Sequence, residues 1–365
     1  CGLRAMASNE RAPGCGIASV HARAAPMRIQ TLRELLRSSG ARPRHEALLL
    51  RAWLQGLALD TWAHKPETAF PRSLLAALPE ISGVIAGLAR IHTTHAGADD
   101  SERLLVCLAD GQTVESVLLP PAGVCVSTQV GCAVGCVFCM TGRDGLLRQL
   151  GSAEIVAQVA LARARRSVRR VVFMGMGEPA HNLDNVLEAI ELLGTEGGIG
   201  HKELVFSTVG DRRVFERLPQ GLVKPALALS LHTSKAELRA QLLPRAPRID
   251  PAELVELGEA YARRTTYPIQ YQWTLLEGVN DGDDELEGIV KLLSGKYAVL
   301  NFIPYNSVDG LDFQRPSVER AAEMARWLHQ RGVLTKLRRS AGQDIAGACG
   351  QLRARRIAGE SRGEA

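Results

Sequence analysis

No apolar run in this chain approaches the roughly 18–20 residues needed to cross a bilayer, which argues against a membrane-spanning helix. No secretory-type signal stands out either. Eight cysteines in 365 residues are too few for a disulfide scaffold and suggest a reducing compartment, where thiols serve as ligands or reagents. The charge balance lacks a strong bias: a net +5 is compatible with an anionic partner but does not demand one. The basic residues are grouped, however. Arg163, Arg165, Arg166, Arg169 and Arg170 come with no acid between them, Lys336, Arg338 and Arg339 form a second group, and Arg353, Arg355 and Arg356 a third. Such runs are either solvated helix faces or contacts to nucleic acid.

What is present is a large apolar complement, 46% of the residues, enough for one sizeable core and a smaller appended domain. Residues 1–26 are rich in Ala, Arg and Gly with Glu10 as their one acid, and are expected to be a disordered leader or sequence ahead of a start at Met27. Residues 27–95 read as helical, with Leu32, Leu35, Leu36 and then Leu48, Leu49, Leu50 at helix-like spacing. This segment is expected to be a helical accessory domain. A polar link from Thr93 to Ser101 leads to a β-hairpin, Leu104–Leu108 and Thr113–Leu119 around Asp110-Gly111, within residues 96–122.

From Gly123 the pattern alternates. Apolar strands over Val124–Thr128, Val171–Met174, Leu204–Thr208, Ala226–Leu231, Ile269–Leu275 and Val299–Ile303 are each followed by a helical stretch. Six strand–helix alternations predict an α/β fold with a parallel sheet, a partial (βα)6 barrel over residues 123–340, with chemistry at the C-terminal ends of its strands. Residues 341–352 then form a small-residue loop holding Cys349, and 353–365 a basic tail.

The most informative group of residues lies just after the first barrel strand. Cys132, Cys136 and Cys139 are flanked by Gly131 and Gly135. Soft, charged thiolates suit iron, and an iron–sulfur cubane ordinarily takes four cysteines; three local ones leave one iron open, as in a catalytic metal site. A structural zinc knot would want a fourth Cys or His, and no second Cys-x-x-Cys occurs. His181, His201 and His232 are scattered by comparison.

The run Val124-Cys-Val-Ser-Thr-Gln-Val-Gly-Cys-Ala-Val-Gly-Cys-Val-Phe-Cys139 resembles the radical S-adenosylmethionine (SAM) signature of the RlmN/Cfr family of RNA adenine methyltransferases. Further matches follow in order: Met174-Gly-Met-Gly-Glu-Pro179, Phe206-Ser-Thr-Val-Gly210, Leu229-Ser-Leu-His232, Gly278-Val-Asn-Asp281, Asn301-Phe-Ile-Pro-Tyr-Asn306 and Asp344-Ile-Ala-Gly-Ala-Cys-Gly-Gln-Leu352.

The resemblance implies a [4Fe-4S] cluster on Cys132, Cys136 and Cys139, and SAM bound by Gly177, Glu178, Ser207, Ser230, Leu231, His232 and Asn306. By sequence alone the Ser and Asn positions are equally readable as helix caps. It implies that Cys349 carries the methyl group, that Cys125 resolves a covalent RNA adduct by forming a disulfide with Cys349, and that Glu115 is the proton acceptor. In its strand Glu115 shares a face with Val117 and Leu119, so burial among apolar neighbours is expected to raise its pKa. Cys1, Cys15 and Cys107 receive no role, and Cys107 is expected to pack in its strand. The implied target is ring carbon 2 of an adenine in ribosomal or transfer RNA, with carbon 8 as the alternative. An electron donor such as flavodoxin or ferredoxin, a cytoplasmic location and a monomeric state complete the expectation. Two other readings stay open: a radical SAM enzyme of another reaction class, and a non-catalytic iron–sulfur protein that binds RNA.

The resemblance implies that the helical segment 27–95 helps grip RNA, yet its likeness to the family there is faint. Two further departures bear on recognition. Gln149 stands where the family usually has Asn, and Leu243-Pro-Arg-Ala-Pro247 replaces a segment that usually reads Pro-Ile-Asn.

Overall fold

The computed structural model describes residues 26–63, 65, 67–307, 310–338 and 350–354. Its strands are β1 (Ala89–Ala96), β2 (Glu102–Leu108), β3 (Thr113–Leu119), β4 (Gly123–Cys125), β5 (Gln129–Gly131), β6 (Leu146–Gln149), β7 (Arg170–Phe173), β8 (Leu204–Thr208), β9 (Ala226–Ser230), β10 (Ile269–Leu275), β11 (Ala298–Pro304) and β12 (Thr335–Leu337). Its helices are α1 (Ile29–Ser38), α2 (Pro43–Leu54), α3 (Arg72–Leu88), α4 (Ser152–Arg163), α5 (Leu183–Gly194), α6 (Arg212–Arg217), α7 (Ala236–Leu242), α8 (Pro251–Thr265), α9 (Asp283–Leu293) and α10 (Val318–Gln330).

One ten-stranded sheet runs β1-β2-β3-β4-β7-β8-β9-β10-β11-β12, with β5 and β6 as a separate ribbon. From β4 to β12 every pairing in this sheet is parallel, and β1 to β4 are joined antiparallel. The α/β partial barrel expected from the alternation is therefore present, with more strands than anticipated. The additional parallel strand, β12, is Thr-Lys-Leu and half-exposed to exposed, so it offers no apolar run to find in the sequence. Its pairing with β11 at Leu300↔Thr335 creates it.

The second difference lies at the other edge. Ala89–Ala96 was expected to be helical and then linking, yet it is strand β1, paired with β2 from Ala89↔Leu108 to Ala96↔Glu102. Here β2 supplies backbone partners, and the β-branched Ile91, Thr93 and Thr94 fit a pleated surface. The hairpin is thus not a free linker. It continues the barrel sheet.

Strand alternation sorts the side chains onto two faces. Val124, Val171, Phe173, Leu204, Phe206, Leu227 and Leu229 face the helical layer and join one continuous core. Val117, Cys125, Val172, Val205 and Ala228 cluster on the opposite, inner face. The N-terminal helices share the first core: Leu32, Leu36, Leu49, Leu50 and Leu74 pack with Val156 and Val159 of α4. Helix α4 is consequently buried on all sides. Truncating one of these leucines to Ala costs about 2–5 kcal/mol by loss of contacts and cavity formation.

The basic run after α4 is largely committed within the protein. Arg165 pairs with Glu102, Arg166 donates to Asp100 O at 3.0 Å, and Arg170 pairs with Glu203 at 2.6 Å. Arg163 donates to Gly197 O at 2.8 Å. No helix of the described residues is long and apolar enough to cross a membrane.

Candidate active site at the strand ends

The cysteine loop hangs from the β5–β6 ribbon, whose pairs run from Gln129↔Gln149 to Gly131↔Leu146. Cys132 N donates to Gly145 O at 3.0 Å and Cys139 N to Cys136 O at 3.0 Å, which folds the loop back on itself. Gly131 has φ +79°, and a Cβ there would stand 2.0 Å from Gly145 O. Only glycine allows that closure.

Cys132 is buried, and Cys136 and Cys139 are half-buried. Burial, chiefly, and the charges of Glu178 and Cys139 push the Cys132 thiol up to about 12. Burial and then the charges of Cys139 and Cys132 push Cys136 well above its ordinary value. Two buried thiols that resist ionisation, with a third beside them, fit a cationic metal cluster, which would stabilise the thiolates. Among the described residues no three His, Cys, Asp or Glu side chains converge on a single-ion site. Cubane ligands need no such convergence, since each binds a different iron.

The segment 174–179 forms the neighbouring turn. Gly177 has φ +102°, and a Cβ on it would lie 2.6 Å from Gln129 Cβ. Gln129 holds the turn: its Oε1 accepts from Glu178 N at 2.7 Å, and its Nε2 donates to Gln149 Oε1 at 2.8 Å. Gln149 in turn donates to His181 O at 2.9 Å. The unusual Gln149 is therefore part of a side-chain relay that fixes the turn.

Glu178 is fully buried, and burial raises its pKa to about 7. Its two oxygens accept from Ala180 N and Val209 N, each at 3.0 Å, which ties the turn to the end of β8.

Ser207 and Ser230 are half-buried at the ends of β8 and β9. Ser207 lies opposite Ala228 and Ser230 opposite Gln272, so both hydroxyls share the inner face. Leu231 is buried, and Asn306 is half-buried beyond β11. His232 adopts φ +63° with its ring 5.0 Å from Phe138 of the cysteine loop. Its Nδ1 accepts from Thr274 N at 3.0 Å, which assigns the proton to Nε2. Burial, followed by the Arg239 charge, lowers its pKa to about 3, so the imidazole is neutral.

Glu115 and Cys125 occupy neighbouring strands. Val117 is directly opposite Cys125, and Glu115 is two residues from Val117, so all three share one face. Glu115 is 2% exposed, but its surroundings are not only apolar: Arg103 Nη1 donates to Oε2 at 2.9 Å, and Arg353 N donates to Oε1 at 3.0 Å. The sequence reading missed Arg103 because nothing in a strand pattern announces a diagonal ion pair. Cys349 lies outside the described residues, as do 1–25 and most of the expected basic tail. Cys107 is buried in β2, as its place in the strand suggests.

Asn280, in the Gly278–Asp281 motif, was also missed. Its Nδ2 donates to His232 O at 2.7 Å and Thr274 O at 2.8 Å, and its Oδ1 accepts from Leu276 N at 2.8 Å. It locks the ends of β9 and β10 together.

A partial barrel with a three-cysteine loop and a glycine turn at its strand ends defines a radical SAM enzyme. Residues 126–293 match the model of the radical SAM superfamily. A probable RNA methyltransferase of Aromatoleum aromaticum is 72% identical over 93% of this chain and 95% of its own length. One of Pseudomonas aeruginosa strain PAO1 is 66% identical over 91% and 97%. The crystal structure of a radical SAM methyltransferase from Sphaerobacter thermophilus is similar with a TM-score of 0.77 and 33% identity, covering 89% of this chain and 97% of that one. The chain belongs to the RlmN/Cfr family of radical SAM methyltransferases. Membership implies a [4Fe-4S] cluster and SAM.

Proposed function

We propose that this enzyme methylates ring carbon 2 of an adenine in ribosomal or transfer RNA, with Cys132, Cys136 and Cys139 as the cluster ligands. An adenine ring carbon offers no lone pair to attack a sulfonium methyl, so simple displacement is closed to it. When bound, the cluster supplies the electron that cleaves SAM and opens a radical route.

The chain's own residues perform the rest. The Cys349 thiol takes the methyl group and carries it to the base. Glu115 accepts the proton from the methylated ring carbon. Cys125 attacks Cys349 Sγ; an S–S bond forms as the bond from Cys349 to the RNA adduct breaks. Gly177, Glu178, Ser207, Ser230, Leu231, His232 and Asn306 line the SAM side. Flavodoxin or ferredoxin is the class of electron donor, and the enzyme acts as a cytoplasmic monomer.

The observation that carries this reading is the contact of Arg353 N with Glu115 Oε1, on the face shared with Cys125. It brings the chain just beyond Cys349 to the proposed base. The names of the relatives support RNA as the substrate. The test is nucleoside mass spectrometry of RNA from a deletion strain, complemented with wild type or Cys349→Ala. A 2-methyladenosine that disappears on deletion and returns only with wild type supports the proposal; an unchanged RNA profile rejects it.

A further inference from the structure

A guanidinium removed from water is costly unless opposite charge or a full set of hydrogen bonds compensates. Arg239 on α7 is 4% exposed. Its Nη2 donates to Val209 O and to Ser230 O, the latter at 3.2 Å, both at strand ends facing the candidate site. Its Nε is buried without a hydrogen-bond partner. Among the described residues it has no carboxylate at ion-pair distance. Glu178 acts on it from further away and has both oxygens occupied by backbone N–H groups.

Burial is the main influence on the Arg239 guanidinium, followed by the charges of Cys136 and then Glu178. The local packing agrees. Leu238, Leu242 and Leu243 pack with Cys132, Cys136 and Phe138, Val137 N donates to Leu242 O at 3.1 Å, and Arg245 N donates to Val134 O at 3.2 Å. Helix α7 is the floor beneath the cysteine loop, and Arg239 is its buried cation. Burial lowers its pKa only to about 10, so it stays charged at neutral pH.

We propose that Arg239 is the countercharge of the thiolates of Cys132, Cys136 and Cys139 and raises the reduction potential of the cluster they hold. This rests on the ligand assignment above. Adding an electron makes a thiolate-ligated cluster more negative, so a fixed cation in a low-dielectric site favours the reduced form. Arg239 is a positioning residue in this role; it contacts no reacting atom.

The test uses anaerobically reconstituted enzyme as wild type, Arg239→Lys and Arg239→Met. Iron and sulfide are counted first, then the cluster is titrated with SAM absent and followed by electron paramagnetic resonance. The Met variant is expected to have a more negative potential, lowering the reduced-to-oxidised ratio at a fixed poise by about tenfold, while Lys stays near wild type. Iron lost by Met and kept by Lys also supports a charge role. An unchanged potential in an iron-replete Met variant overturns the proposal, as does equal loss of iron from both variants. Full iron retention by Cys132→Ala would instead reject the ligand assignment, so the two failures are separable.

Discussion

The backbone N–H of Arg353 donates to Glu115 Oε1 at 3.0 Å, joining residues 238 positions apart. With Arg103 on the other oxygen, the carboxylate is held from two sides. The proposed base is thereby oriented by its partners before substrate arrives.

Glu115→Gln is therefore expected to lower kcat for RNA methylation by at least about 10²-fold. It also deprives buried Arg103 of its counterion, destabilising the fold by about 3–5 kcal/mol. Adding Arg103→Met should recover much of that stability in urea unfolding without recovering turnover. Recovery of turnover would show that Glu115 has a structural role alone.

Cys125→Ala is expected to fold normally, because Cys125 packs among Val117, Val172 and Val205 as a small apolar group. It should leave RNA covalently attached to the protein, visible as a species that survives denaturing electrophoresis and collapses on nuclease treatment. Free methylated RNA at the wild-type rate would assign the resolving step elsewhere.

His232 makes a prediction about pH. Its folded pKa of about 3 lies below the unfolded value near 6.5. Between these values the unfolded chain binds a proton that the folded one refuses, so this group's contribution to stability falls as pH drops through 6.5 toward 3, and is constant above. The slope is about 1.4 kcal/mol per pH unit within the window. His232→Asn keeps an acceptor for Thr274 N and suits the left-handed φ; its stability should depend less steeply on pH by that amount. Parallel wild-type and variant curves for the apoprotein between pH 4.5 and 6 would contradict this.

Gly177→Ala puts a methyl group against Gln129 and forces a left-handed φ on an L-residue. A cost of about 1–3 kcal/mol is expected, together with weaker SAM binding by equilibrium dialysis. Wild-type affinity would remove this turn from the cofactor pocket.

Much of the fold was legible along the chain. β8 (Leu204–Thr208) and β10 (Ile269–Leu275) carry their own pattern, and their observed limits equal the expected ones. The same holds for β3, bounded by the Asp110-Gly111 turn and Pro120. Strand β1 did not announce itself, because five of its eight residues are polar and its identity comes from β2 beside it. Site motifs followed the same division. Gly131 and Gly177 were visible because a backbone constraint leaves its mark on a single residue type. Arg103, Asn280 and Arg239 were not, since each matters through partners distant in sequence.

The amino-acid order alone determined the strand–helix rhythm, the cysteine triplet and the glycine turn, all of which depend on neighbours within a few positions. Only the folded chain decided that Arg353 meets Glu115, that Arg103 balances it, and that Arg239 is buried on the helix packed against the cysteine loop. Those outcomes depend on which faces are brought together and shut off from water, and a buried charge has no local sequence signal.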